Sequence, residues 1–178
     1  EGEADTRYVD PGCPFQRDQR VIYFASRVAM DIEGLGERTV AQLTSTDPPL
    51  ISDAADLYSL RKEDLLRLEG FGEISADKLL KAIDESRHRP LPRLLTALGI
   101  KHLGPAAAQA LANEFGTLDA VMAASAEELA AVEGVGPVIA RSITSWFEGE
   151  ANRAFVEKLR AAGVEFGVPV PRTPRAPQ

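Results

Sequence analysis

One short pattern recurs four times in this chain, and its register constrains the fold more than any other feature. Glu33-Gly34-Leu35-Gly36 is followed by Val40 and Leu43, and Glu69-Gly70-Phe71-Gly72 by Ala76 and Leu79. Lys101-His102-Leu103-Gly104-Pro105 is followed by Ala108 and Leu111, and Glu133-Gly134-Val135-Gly136-Pro137 by Ala140 and Ile143. Counted from the last glycine of each copy, a small residue stands four along and an apolar one seven along, and the copies are spaced by 36, 32 and 32 residues. Positions four and seven share one face of a helix, so each copy predicts a helix that begins at its last glycine and buries those two side chains.

The segments before the hairpins are also helical in pattern, as in Leu65, Leu66 and Leu68, or Leu129 and Val132. The first glycine of each copy then falls where a helix commonly ends in a left-handed conformation. Pro105 and Pro137 fall at the first helical position, where a missing N–H is harmless and the fixed φ suits a start. The fold class this predicts is all-α, a tandem helix-hairpin-helix domain of four motifs with a short irregular N-terminal segment. Residues 1–20 form that segment, 21–150 the repeat domain, 151–166 a helix and connector, and 167–178, rich in proline, a linker. Within this plan a helix runs from near Gln19 to Met30, Ser45 to Pro49 is a loop, and Ser52 or Asp53 starts the next helix. Ser125 with Glu128 forms a capping box, and Phe155, Val156 and Leu159 mark a helix over 152–162.

A helix that starts at glycine leaves main-chain N–H groups pointing outward at the positive end of its dipole, with no side chain in the way. Such a corner suits a phosphate. Donors on the main chain read no bases, so four of them in register point to binding of a nucleic-acid backbone without sequence preference. Taken singly, each hairpin is no more than a turn between helices. The residues assigned to such a surface are Gly34, Gly36, Arg38, Gly70, Gly72, Lys78, Lys101, Gly104, Gly134, Gly136 and Arg141. The net charge of −7 opposes a polyanion partner. At physiological salt, however, charges are screened over about 8 Å, and local donors outweigh distant carboxylates.

A chain of 178 residues with 44% hydrophobic content can bury roughly 70% of its extended surface. A single cysteine excludes an internal disulfide framework and suggests a reducing, intracellular setting. No phosphate-binding Gly-x-x-x-x-Gly-Lys loop, Gly-x-Ser-x-Gly elbow or His-Glu-x-x-His is present. His88 and His102 have no nucleophile or metal partner near them in sequence, and His102 marks a degenerate third hairpin. Met30, Trp146 and Phe147 are read as packing residues.

Cys13-Pro14-Phe15-Gln16, Met30-Asp31-Ile32-Glu33-Gly34-Leu35-Gly36, Leu68-Glu69-Gly70-Phe71-Gly72, Leu98-Gly99-Ile100-Lys101-His102-Leu103-Gly104 and Val132-Glu133-Gly134-Val135-Gly136 stand in an order that resembles the C-terminal half of a bacterial NAD-dependent DNA ligase. The resemblance covers about Cys13 to Phe166. It implies a zinc finger followed by four helix-hairpin-helix motifs that grip nicked duplex DNA across the minor groove. It also implies adenylation and OB-fold domains upstream and a BRCT domain downstream on the same polypeptide. The parent enzyme would use NAD and Mg²⁺ to seal nicks in replication and repair, in the bacterial cytoplasm in association with the nucleoid, with no membrane partner.

This chain lacks the Lys-x-Asp-Gly adenylation motif. Lys62-Glu63-Asp64-Leu65 comes nearest but has no glycine and reads as the first turn of a helix, so no catalytic residue is assigned and the chain is expected to be inactive alone. The family's finger holds zinc with four cysteines. Here only Cys13 remains as a metal candidate, and Tyr8 stands where its near partner is expected, so no zinc is expected on this chain. Two other readings are compatible with the residues: a DNA repair or recombination adaptor that is not a ligase, and a protein-interaction scaffold whose hairpins are only turns.

Overall fold

In the computed structural model, residues 14–168 are described; Tyr8, Cys13 and the proline-rich run from Pro169 lie outside them. Ten α-helices and one short 3-10 helix make up the described residues, with no strand among them beyond an isolated bridge. The chain forms two compact units, one ending at Arg87 and the other starting at His88. No helix of the described residues is long and apolar enough to cross a membrane.

The first unit begins with α1 (Pro14–Ala25), followed by α2 (Glu37–Ser45), the 3-10 helix (Ala54–Ser59), α3 (Lys62–Leu66) and α4 (Glu73–Ser86). α1 starts earlier than the sequence suggested, because Pro14 serves at its N-terminus, where a missing N–H is tolerated. It also ends earlier. Ser26 turns the chain, its hydroxyl and amide both donating to the Tyr23 carbonyl, and Met30 and Ile32 bond back to Phe24 and Ala25. Asp53 caps the 3-10 helix through a capping box with Asp56, as expected for a helix start there. α1 packs on α2 and on the 3-10 helix, and α3 and the 3-10 helix pack on α4, around Phe24, Met30, Leu43, Ile51, Leu57 and Leu65. The buried Ser86 hydroxyl donates to the Ile83 carbonyl and meets the Tyr58 hydroxyl at 2.7 Å, which pins the end of α4.

The second unit is built from α5 (Leu91–Ala97), α6 (Pro105–Phe115), α7 (Leu118–Ala123), α8 (Ala126–Ala130), α9 (Gly136–Glu148) and α10 (Glu150–Ala161). Ser125 caps α8 in the capping box read from its sequence: the Glu128 amide donates to its hydroxyl, and its own amide to the Glu128 carboxylate. The core gathers Leu94, Leu95, Leu111, Leu118, Leu129 and Ile143. Arg160 on α10 forks onto the Asp119 carboxylate of α7 at 2.6 and 3.0 Å and stacks over the Phe166 ring. After α10 the chain folds back, so that Leu118 donates to the Phe166 carbonyl, Val168 donates to that of Gly116, and Gly167 pairs with Thr117. Gly167 is therefore fixed by main-chain pairing.

Candidate nucleic-acid interface

All four hairpins close in the same way. The middle residue donates its N–H to the carbonyl three residues earlier: Leu35 to Ile32, Phe71 to Leu68, Leu103 to Ile100 and Val135 to Val132. The third position of each turn is left-handed, with φ of 93° at Gly34, 89° at Gly70, 68° at His102 and 94° at Gly134. That is the conformation a type II turn demands there. The left-handed residue thus belongs to a separate tight turn rather than to the end of the preceding helix. His102 keeps the turn without glycine, so the third hairpin is degenerate in sequence but not in main-chain shape.

The helix that follows each hairpin buries the residues expected from the register. Val40, Leu43, Ala76, Ala108 and Leu111 are fully buried, and Leu79, Ala140 and Ile143 nearly so. Gly36, Gly72 and Gly104 cap α2, α4 and α6 in extended conformation, with φ near −100° and no side-chain cap. The first intrahelical bonds run from Val40, Ala76 and Ala108 to these glycine carbonyls, so the amides of the preceding turn face outward. The fourth corner differs. Val135 is the cap of α9, and Gly136 has φ of 73°.

The glycines carry unequal information. At Gly136 the left-handed backbone by itself explains the residue. At Gly36, Gly72 and Gly104 the backbone is open to any residue, and an added Cβ would meet nothing within 4 Å. Neither a positive φ nor internal contact calls for glycine at these three corners, which are helix N-caps with open space in front of them.

Within each unit the hairpins are held against the partner helix. In the first, Gln42 of α2 donates to the Glu69 carbonyl in the second hairpin at 2.8 Å, and the empty Cβ position of Gly34 lies 3.8 Å from Leu79 of α4. A groove of about 640 Å³ results, lined by both hairpins and by α2 and α4, with Arg38, Lys78 and Lys81 facing it alongside Glu33, Glu69 and Glu85. In the second unit, a groove of about 520 Å³ lies between the third hairpin and α9, lined by Lys101, His102, Arg141, Ser142, Ser145 and Trp146. Arg38, Lys78, Lys101 and Arg141 are all exposed. The structure therefore brings Gly34, Arg38, Gly70 and Lys78 together in one groove, and Lys101 with Arg141 in the other. Lys81 and Gln42 join the first site without having been marked by the repeat, and His102, marked only as a degenerate hairpin position, joins the second. Trp146, half-buried and edge-on to Phe147, packs as expected on one side but lines the groove on the other.

Lys62, the nearest approach to an adenylation lysine, opens α3 and sits 3.2 Å from Asp77 and 3.7 Å from Glu73. The Asp77 hydrogen bond and the charges of Asp77 and Glu73 push its pKa up, the opposite of what activates an amine as a nucleophile. Among the described residues, no group of three or more His, Cys, Asp or Glu is placed to hold a metal.

Comparison with known proteins separates the two halves along the same lines. A SAM-like helix-hairpin-helix tandem family model matches residues 26–85, and a helix-hairpin-helix motif model matches residues 93–156. The chain is 48% identical over 167 residues to the DNA ligase of Natranaerobius thermophilus, covering 94% of this chain and 25% of that protein. The chain fits a helix-hairpin-helix fragment of a bacterial DNA ligase. It is 50% identical over 166 residues to the DNA ligase of Chloroflexus aggregans and 49% identical over 168 residues to that of Symbiobacterium thermophilum, in each case over 93% of this chain. It spans about a quarter of the length of these ligases.

Proposed function

We propose that the chain binds duplex DNA without sequence preference, through main-chain amides at its hairpin corners, as the helix-hairpin-helix part of an NAD-dependent DNA ligase that seals nicks. The observation that carries this reading is the empty, exposed space in front of Gly36, Gly72 and Gly104, where nothing in the protein requires glycine. A phosphate group approaching the first turn of α2, α4 or α6 would meet outward N–H groups at the positive end of the helix dipole. Arg38, Lys78, Lys81, Lys101 and Arg141 would add charge beside those corners. The sealing chemistry, with NAD and Mg²⁺, would belong to other parts of the ligase polypeptide, and the work of this part is to hold the duplex.

The test is Gly72→Val, read by fluorescence anisotropy on a nicked duplex. Valine clashes with nothing inside the protein but caps a helix less well than glycine, so the melting temperature should fall by no more than about 4–8 °C while affinity drops about tenfold or more. Unchanged affinity in the folded variant would remove the corner from the contact surface. A salt series on the unaltered chain separates this reading from that of a protein scaffold, because binding to a phosphate backbone weakens steeply as salt rises. Absence of duplex binding at low salt would reject the DNA reading altogether.

A further inference from the structure

At the third corner the left-handed position is held by His102, where the three other corners use glycine. A residue bearing Cβ is disfavoured in that conformation, and one kept there directs attention to a use for its side chain. Packing is not that use, since His102 is exposed. Its ring lies instead along the groove shared with Lys101, Arg141, Ser142, Ser145 and Trp146, and no carboxylate lines that groove. By hairpin register, the first unit has Glu33 in the place of Lys101, Gly34 in the place of His102 and Asp77 in the place of Arg141. The main chain also differs: α6 and α9 of the second unit carry Pro105 and Pro137 in their first turns, so each has one N–H fewer to offer than α2 or α4.

We propose that this groove is a phosphate seat built from side chains, and that His102 keeps its left-handed corner in order to donate a ring N–H to a backbone phosphate of bound DNA. The inference rests on the DNA-binding reading above and assigns the contact in the second unit to a different set of donors. Arg141 presents a planar pair of N–H groups suited to a phosphate, Lys101 a mobile ammonium, and Ser142 and Ser145 neutral hydroxyl donors. Trp146 supplies an apolar wall against which a sugar edge can rest. A duplex backbone is the ligand these groups suit together, as every donor in the groove is complementary to a phosphodiester oxygen.

The experiment compares the full chain with His102→Gly, His102→Asn, Arg141→Gln and Gly72→Val by anisotropy on a nicked duplex at several salt concentrations, with melting curves for each. Glycine and asparagine both accept the left-handed turn, so His102→Gly should melt at the same temperature as the unaltered chain or higher. Its affinity should nevertheless fall about fivefold, and His102→Asn, which keeps an N–H donor on a shorter side chain, should lose no more than that. Arg141→Gln should also reduce the slope of log affinity against log salt by about one. If His102→Gly binds as tightly as the unaltered chain while Gly72→Val loses binding, the side-chain seat is refuted and the amide corners stand. If the unaltered chain binds no duplex at low salt, the DNA reading fails and this proposal falls with it.

Discussion

In the first unit, the groove between hairpins alternates sign: Arg38, Lys78 and Lys81 face it together with Glu33, Glu69 and Glu85. In the second, the corresponding groove carries Lys101, His102 and Arg141 and no carboxylate at all. The turns beneath them are the same, closed by the same main-chain hydrogen bond. One backbone corner is therefore furnished in two ways. Where α2 and α4 begin with glutamates and retain their first-turn amides, Glu37 and Glu73 compete with any anion for the helix end. Where α6 and α9 lose an amide to proline, cationic side chains stand beside the corner instead. The difference shows why a net charge of −7 is a poor guide to a polyanion partner: what matters is where the carboxylates stand, and none lines the second unit's groove.

The largest effect that would sharpen the contrast is on stability. A Cβ at Gly167 would sit 2.2 Å from the Gly116 carbonyl oxygen at φ of 94°, so Gly167→Ala should destabilise the second unit by about 2–4 kcal/mol and leave the first unit's amide exchange unchanged. Equal loss of protection in both units would show that they do not unfold separately. A smaller effect is expected on binding. Glu33→Lys gives the first groove the charge that Lys101 gives the second, and should tighten nicked-duplex binding about threefold at low salt. No change, or weakening, would mean that the first groove does not face the duplex.

The smallest effect separates the units by pH. The Arg160 hydrogen bonds hold the Asp119 carboxyl below its ordinary pKa. A folded pKa below the unfolded one gives stability that is present above the ordinary carboxylate range and is lost as pH falls through the folded value. Arg160→Gln should therefore cost the second unit about 0.5 kcal/mol at neutral pH, after solvent screening of this largely exposed pair, and less once Asp119 is protonated. A deficit that persists unchanged in acid would assign the effect to lost packing against Phe166.

Features set by local chemistry were legible in the sequence. Four-and-seven spacing found the buried face of each hairpin helix, and Ser125 with Glu128 announced a capping box the structure contains. Features set by contacts distant in sequence were not. Nothing in the run around Gln42 indicates that its side chain will reach the Glu69 carbonyl, and Gly167 reads as the opening of a linker until Gly116 is seen against it. His102 was legible only by halves: its place in the register was plain, but residue type alone suggested a worn hairpin, whereas its φ of 68° shows a turn preserved. Gly136 misleads in the opposite direction, since it occupies the same register slot as Gly36, Gly72 and Gly104 yet answers to its own backbone conformation.

In every hairpin the closing hydrogen bond runs from a main-chain N–H to a main-chain carbonyl, so that bond itself is independent of which side chains stand around it. The corner behaves as a socket whose fittings can be exchanged while the wall behind stays put. The side chains around a hairpin can thus drift or be re-engineered, residue by residue, without reshaping the frame that presents them.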